Sequence, residues 1–282
     1  MRTWAYGRKV LIIRAAYYLL VAIAVGVLVS AAKTADAPAL GVARALVPAT
    51  AAVLVPLLVV SLLLINALAV TALTTERDGR AIDLLLVTDL TPSEFVFGKL
   101  GGVLYNSKDM VLLPVLVCCY LWFGGQISGE SLTYLTGGHL VMTCFVAMLG
   151  LHAGMIYENS RSAISVSLAT VVFLFLGVAT CMRMMIAFSG SFQIQLQPFL
   201  AFMLGGGVGL YVALGSRNPS PAIGLASFVA PFATFYVITS LVIGYPLASF
   251  LVTVTTYGFA TAAMLVPALY EFDVVTGRTT AK

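Results

Sequence analysis

The sequence predicts an all-α, polytopic integral membrane helical bundle of about eight transmembrane helices. Of its 282 residues, 61% are hydrophobic and 9% are charged, whereas a soluble domain carries about 25% charged residues. The apolar residues are grouped in runs near 20 residues long, the length that crosses the hydrocarbon layer as a helix. The runs lack the two-residue alternation of a membrane β-barrel. We therefore expect one transmembrane domain over residues 1–282, without a separate soluble domain.

The first predicted helix covers residues 15–32 and follows a basic segment. Residues 1–14 mix four basic side chains with aromatic and aliphatic ones, a composition that suits a cytoplasmic interfacial segment. A cleaved signal peptide is the alternative, because residues 35–37 (Ala-Asp-Ala) have the small-x-small cleavage pattern. The apolar run exceeds the roughly 7–15 residues of a signal peptide, so we favour an uncleaved helix.

Seven further apolar runs each predict one helix. They are 46–73, 102–124, 134–156, 163–187, 198–216, 222–244 and 247–270.

The distribution of Lys and Arg predicts the orientation of these helices. The cytoplasmic side of a membrane protein carries the excess of basic residues. With the N-terminus inside, only Lys33, Arg44 and Arg183 lie outside. We therefore expect both termini, including a tail at residues 271–282, to be cytoplasmic. The net charge of +4 then reflects orientation, and no basic patch with interleaved aromatics predicts a nucleic-acid partner.

Few residues offer catalytic or metal-binding chemistry. The sequence has no HExxH motif, no GxSxG motif and no paired intramembrane carboxylates. His139 and His152 are too far apart along one helix to share a metal ion, and we expect each to be satisfied near one membrane face. The cysteines lack metal-ligand spacing and are expected to be small packing residues. They are Cys118, Cys119, Cys144 and Cys181.

The longest polar-rich block, residues 76–99, predicts a cytoplasmic elbow. Ile82, Leu85 and Leu86 have i, i+3, i+4 spacing, which indicates a short amphipathic helix lying flat on the membrane. The stretch from Thr91 to Glu94, Thr-Pro-Ser-Glu, is a capping box with Pro at the first helical position. It predicts the start of the third helix. A solvated loop is the alternative reading of the block.

Residues 76–100 resemble the segment between the second and third helices of type-2 ABC (ATP-binding cassette) transporter permeases, approximately E-R-E-x-G-T-L-E-L-L-L-x-T-P-L-S followed by G-K. Arg80, Ala81 and Asp89 depart from that pattern. In the family this segment is a coupling helix that docks on the ATPase subunit. The resemblance therefore implies that the elbow binds an ATPase through a set of charged, apolar and capping residues. The set is Glu76, Arg77, Asp78, Arg80, Ile82, Asp83, Leu85, Leu86, Thr91 and Glu94.

Two further segments are similar to the same family. Residues 150–168 resemble its cytoplasmic turn between the fourth and fifth helices, which implies a possible second cytoplasmic contact at Glu158 and Arg161. The C-terminal residues also resemble the family's Tyr-x-Phe-Asp and Gly-Arg pattern. They are Tyr270, Phe272, Asp273, Gly277 and Arg278.

The resemblance implies the membrane-spanning permease subunit of an ABC exporter in the cell membrane. Such a subunit forms the translocation pathway, pairs with a second permease copy or homologue, and is driven by ATP on a separate ATPase. The chain's only Gly-Lys pair, Gly98-Lys99, lacks the rest of a P-loop. We therefore expect no cofactor on this chain and no enzymatic activity of its own.

Three points remain open at this level. The family core has six helices, so residues 198–216 and 222–244 are either an extra spanning pair, which we favour, or a re-entrant hairpin. Burying Arg217 in the membrane would cost about 2.5 kcal/mol or more. Lys108 and Asp109 either line the pathway or snorkel to the interface. A secondary transporter or channel without an ATPase, or a noncatalytic scaffold, is the alternative function.

Overall fold

The computed structural model describes residues 2–34, 49–79, 91–187, 192–217, 219–270 and 272. All regular structure in these residues is helical, which confirms the predicted all-α bundle. The described helices are α1 (Arg2–Thr34), α2 (Ala49–Asp78), α3 (Pro92–Asn106), α4 (Lys108–Phe123), α5 (Gly129–Ile156), α6 (Ser160–Ala187, with a π-helical turn at Phe173–Gly177), α7 (Phe192–Leu214), α8 (Pro221–Ile243) and α9 (Pro246–Tyr270).

Seven of these helices are long and apolar enough to span a membrane, and the bent pair α3–α4 makes an eighth if the two helices together form one span. The protein is thus a multi-pass membrane protein, with seven to eight such helices in the described residues, in the order that the sequence predicts. α7 and α8 each meet the length and composition of a span, in line with the extra spanning pair. α1 is one continuous helix from Arg2, so the predicted interfacial segment 1–14 continues into the first span from residue 2 onward.

α5 is the central helix of the bundle. In the apolar stretch of α5 that could span a membrane, 83% of the residues are buried inside the protein, whereas in α1 and in α7 the buried share is 17%. Gly150 of α5 lies directly against the backbone of α2. A Cβ atom built on Gly150 would lie 2.6 Å from the Ala69 Cβ atom and 2.8 Å from the Asn66 carbonyl oxygen. Small residues at such positions let helix backbones approach closely in membranes.

A buried amide fastens α2 to two other helices at this contact. The Asn66 side chain is fully buried and donates from Nδ2 to the Val146 carbonyl of α5 at 2.9 Å. Its Oδ1 accepts a hydrogen bond from the Ser167 hydroxyl of α6 at 2.9 Å. Both ends of the amide are therefore satisfied by neighbouring helices, as a polar group inside a membrane requires.

Two helices at an angle, α3 and α4, replace the single helix predicted at 102–124. α3 and α4 differ in direction by 53° across Ser107. The Ser107 hydroxyl donates to the Val103 carbonyl at 2.8 Å, and such back-bonding bends helices. Side chains of α1 donate to one carbonyl on each side of the bend: Arg14 to Asn106 of α3 at 2.8 Å and the Tyr17 hydroxyl to Met110 of α4 at 3.4 Å.

The Gly205–Gly207 run packs closely against its neighbours, as its composition predicts. A side chain on Gly206 would overlap the Phe173 ring, and a Cβ atom on Gly207 would lie 2.7 Å from the Phe228 ring. Gly205 faces open space. The run therefore brings α7 against both α6 and α8.

Candidate functional site at the polar end of the bundle

The predicted elbow and two helix connections meet at one end of the bundle. This polar end consists of the last turn of α2, the first turns of α3, the α5–α6 turn (157–159) and the α7–α8 turn (215–220). Side chains from each of these elements bond to a different element. Sequence analysis predicted that all of them lie on one side of the membrane, and their contacts place them together.

An ion pair joins the two ends of the elbow. The Lys99 ammonium of α3 bonds to the Glu76 carboxylate of α2. The side chains are 20% and 33% exposed, respectively, so the pair is partly shielded from water. Glu76, which the resemblance assigns to an ATPase contact, thus has its carboxylate engaged inside the chain. Lys99 was not among the predicted site residues.

The last turn of α2 is also fastened to the α5–α6 turn. Arg77 donates from Nη1 to the Tyr157 carbonyl. The Ser160 hydroxyl donates to Asp78 Oδ1 at 2.6 Å. Both residues of α2 were predicted to bind a partner; Arg77 is half-buried against its own bundle, whereas Asp78 is exposed and keeps that assignment as a prediction. These contacts hold the last turn of α2 against the beginning of α6.

α5 and α7 cap each other at this end. Arg217, just beyond α7, donates from Nε to the Ile156 carbonyl of α5 at 2.6 Å. In return, the Tyr157 hydroxyl donates to the Ala213 carbonyl at 2.9 Å, and His152 Nε2 lies 2.9 Å from the Leu214 carbonyl. The last carbonyls of a helix have no partner within it. We call this arrangement the reciprocal cap.

Arg217 makes one further contact in the α5–α6 turn. Its Nη2 lies 2.6 Å from Glu158 Oε1, and the Glu158 side chain is 86% exposed. A pair so exposed contributes little to stability, so the backbone contact with Ile156 is the stronger one. Glu158 remains available at the surface. Arg161, the other residue of the possible second contact, is exposed, and its backbone N–H bonds to Asn159 Oδ1 at 2.9 Å.

The capping box at the start of α3 is confirmed. The Glu94 N–H donates to Thr91 Oγ1 at 3.3 Å, and the Thr91 N–H donates to Glu94 Oε2 at 2.9 Å. Pro92 occupies the first helical position. Phe95 in the same turn packs edge-to-face on Phe272 with ring centroids 5.5 Å apart. Phe272 is buried, so this residue of the C-terminal segment packs against the first turn of α3.

The centre of the predicted elbow lies outside the described residues. This applies to the apolar stripe and the remaining charges, whose assignment as partner-binding residues stays a prediction. These residues are Arg80, Ile82, Asp83, Leu85 and Leu86.

Lys108 and Asp109 lie at the start of α4, beside the break. The Lys108 ammonium lies 4.8 Å from the centroid of the exposed Tyr105 ring. Asp109 accepts a hydrogen bond from the Tyr18 hydroxyl of α1 at 2.8 Å. Lys108 is on the outer surface of the bundle and Asp109 is half-buried against α1. This position favours interfacial snorkelling over a pathway lining.

The two histidines differ in their hydrogen-bond partners. His152 contacts the Leu214 carbonyl, but neither ring nitrogen of His139 has a hydrogen-bond partner among the described residues. The described residues thus supply one partner for His152, whose Nδ1 has none, and no partner for His139. Among the residues that the structure describes, no three His, Cys, Asp or Glu side chains are grouped as metal ligands would be.

Sequence reasoning missed Arg217, Tyr157 and Arg14 as well as Lys99. Arg217 had a signal, because it is the only charged residue between Arg183 and Glu271. That isolation predicts a special position, though not the carbonyl that it caps. Comparison of the chain with protein-family models, with curated proteins and with solved structures gave no match.

Proposed function

We propose that the protein is the membrane-spanning permease subunit of an ATP-binding cassette exporter in the cell membrane, with both termini cytoplasmic. The chain lines the translocation pathway together with a second permease copy or homologue. ATP is bound and hydrolysed by a separate ATPase subunit, which docks on the elbow. The chain itself is a transport subunit and not an enzyme.

The observation that carries this proposal is the ion pair between Glu76 and Lys99. Because it joins α2 to α3, the described ends of the two helices on either side of residues 80–90 are held together. A partner that presses on this segment would move both helices together. Transmission between subunits by rigid-body movement requires such a stiff attachment.

Further contacts connect the elbow to helices other than α2 and α3. Arg77 and Asp78 bond to Tyr157 and Ser160, and Arg217 bonds to the α5–α6 turn. A displacement at the elbow would therefore act on α5, α6 and α7 as well as on its own helices. This supports a coupling role over a solvated loop.

A secondary transporter is the second candidate, and His139 favours it. An ionisable side chain buried within a span is a candidate for coupling to an ion gradient. The two proposals differ in whether an ATPase accompanies the protein.

The test is purification of the tagged protein in mild detergent, with identification of a bound P-loop ATPase and assay of ATP hydrolysis. The elbow variant combines Asp83→Lys, Leu85→Ser and Leu86→Ser. Burial of each Leu at a groove contributes roughly 1.5–3 kcal/mol, so the variant should lose the ATPase while inserting normally. Glu76 is left unchanged because it fastens α2 to α3. Gln126→Lys, in the exposed α4–α5 turn, is the control and should retain the ATPase.

Two results would count against the proposal. Absence of any ATPase from the wild-type preparation would favour the secondary transporter. Retention of the ATPase by the elbow variant would remove the docking role of residues 80–90. The isolated chain should show no ATP hydrolysis.

A further inference from the structure

Three polar residues follow one face of α5 and share an unusual property. Thr136, His139 and Thr143 are spaced by three and four residues, so they lie on the same side of the helix. Both threonine hydroxyls and both imidazole nitrogens are buried and have no hydrogen-bond partner among the described residues. The His139 and Thr143 residues are 5% and 2% exposed. Four buried polar atoms are therefore grouped without partners in the central helix.

The two threonines differ from others in the spanning helices. A threonine in a membrane helix ordinarily donates to the carbonyl four residues earlier. Threonines throughout this bundle do so: Thr71, Thr133, Thr180, Thr234, Thr239, Thr253, Thr255 and Thr261. Thr136 and Thr143 make no such bond. Their hydroxyls thus remain available to a partner outside their own helix.

The next turn of the same face shows what satisfies a polar group here. Val146 follows Thr143 by three residues, and its carbonyl receives the Asn66 amide of α2. The spacing between Asn66 and Val146 is 80 residues, as it is between Arg77 and Tyr157, so α2 and α5 run in the same direction. Ser61 of α2 is therefore level with the region between His139 and Thr143. It is fully buried and lies beside the Tyr17 hydroxyl.

Of the helices that pack on α5, α2 and α9 are uncharged at this level, and the charges of α4, Lys108 and Asp109, lie beside the break, where Asp109 accepts from Tyr18. α5 carries no charged residue after Glu130, α9 carries none, and α2 carries none before Glu76. A neutral imidazole offers one donor and one acceptor, and each hydroxyl offers both. With no carboxylate or basic side chain from α2, α5 or α9 at this level, a site of this composition suits an uncharged hydrogen-bonding group.

We propose that Thr136, His139 and Thr143 form a binding site within the membrane for a hydroxyl ligand, either water or the hydroxyl of an amphipathic molecule. The site begins about 10 Å from the start of α5 and ends near the middle of the helix, at 1.5 Å per residue. It lies in the half of the bundle away from the polar end. It rests on the geometry of α5 and is independent of whether an ATPase drives the protein.

The first test measures access to the site with a small polar thiol reagent. Thr143→Cys and, as control, Met148→Cys are made in a variant without the four native cysteines. Met148 is fully buried in the same helix. Modification requires a thiolate, which forms poorly in apolar surroundings. We expect position 143 to react at least tenfold faster than position 148. Equal rates at the two positions would contradict the site.

The second test compares thermal stability in detergent. Thr136→Val and Thr143→Val remove a hydroxyl that a ligand would bond, so we expect a lower unfolding temperature, while Thr143→Ser should leave it unchanged. If the hydroxyls are simply unpaired, their removal relieves an unfavourable burial and the Val variants unfold at a higher temperature. That result would overturn the proposal. Thr253→Val, which removes a hydroxyl bonded only within its own helix, gives the reference change.

A competition experiment separates the two sources of the hydroxyl. The rate of modification at Thr143→Cys is measured in the presence of decanol or decane. Protection by decanol alone identifies an amphipathic alcohol as an occupant. Rates unchanged by both identify water. Equal protection by decane and decanol would indicate a purely apolar cavity and contradict a hydroxyl site.

Discussion

The two ends of the bundle are held together in different ways. At the polar end, described side chains bond across elements that are far apart in sequence, as Arg77 does with Tyr157 and Arg217 with Ile156. At the opposite end, the hydrogen bonds at the helix connections lie within one connection or one pair of consecutive helices, and the one bond between distant helices that the structure gives there among the described residues is the long contact of the Thr239 hydroxyl with the Met182 sulfur at 3.9 Å. Ser128 caps α5 by accepting from the Ser131 N–H at 3.1 Å, and the Gln195 amide donates to Met185 at 3.3 Å.

This difference indicates where the bundle can transmit a displacement. Bonds between distant elements couple the movement of several helices, whereas local caps stabilise one helix end at a time. A partner at the polar end would act on the whole bundle. A partner at the opposite end would act on single connections.

The largest expected effect is the labelling of the two ends from opposite sides of the membrane. In a variant without native cysteines, Ser216→Cys in the α7–α8 turn and Ser93→Cys at the start of α3 should react with an impermeant reagent only from the cytoplasmic side. Gln126→Cys should react only from outside. All three positions are exposed. Labelling of position 216 together with 126 would break the assignment of the two ends.

The α2–α5 contact continues to the polar end. One methyl group added at this contact should lower the stability of the protein. Gly150→Ala places a Cβ atom 2.8 Å from the Asn66 carbonyl oxygen and 2.9 Å from the Val70 nitrogen. Overpacking against backbone should lower the free energy of unfolding by about 3 kcal/mol. The measurement is unfolding in mixed micelles. Gly138→Ala, with no atom within 4 Å of the new Cβ, is the control and should not destabilise.

The reciprocal cap should contribute more to stability than the ion pair beside it. Arg217→Ala leaves the Ile156 carbonyl without its charged donor and should cost about 1.5–3 kcal/mol. Glu158→Ala removes only an exposed partner and should cost less than about 1 kcal/mol. Equal losses in the same unfolding assay would mean that the backbone contact adds nothing.

The smallest effect is expected at the opposite end. Gly244 ends α8 in the left-handed region at φ +92°, and the Tyr245 N–H bonds to the Ser240 carbonyl at 2.8 Å. Gly244→Ala should cost about 1 kcal/mol because a Cβ atom is strained there. Hydrogen exchange should accelerate only around the α8–α9 turn. Faster exchange in the α5–α6 turn as well would contradict the separation of the two ends.

Local signals allowed the spans and one cap to be predicted from sequence. Each span depends on its own apolar composition, and the box at Thr91–Glu94 contains all four residues that it needs. The break at Ser107 was not predictable in the same way, because the freed carbonyls are satisfied by Arg14 and Tyr17 of another helix. The polar residues at 106–109 mark the position in the sequence, but they give no sign of donors from another helix.

The site was predicted in part for the same reason. The elbow's charged residues were recognised, but a linear pattern cannot tell a side chain that faces a partner from one that pairs within the chain. Glu76 bonds to Lys99, 23 residues later, and Arg77 bonds 80 residues later. His139 shows the converse, since its lack of a partner depends on how the neighbouring helices pack.

The parallel course of α2 and α5 has an electrostatic consequence. Each helix carries about half a negative charge at its C-terminus, and the glycine contact brings two such termini, at Asp78 and Ile156, to the same end of the bundle. Side by side, these dipoles repel. Arg77 and Arg217 place two guanidinium groups among the carbonyls there. They act as fixed counterions for a helix pair, and thus part of the basic excess that marks this side of the membrane neutralises the protein's own backbone.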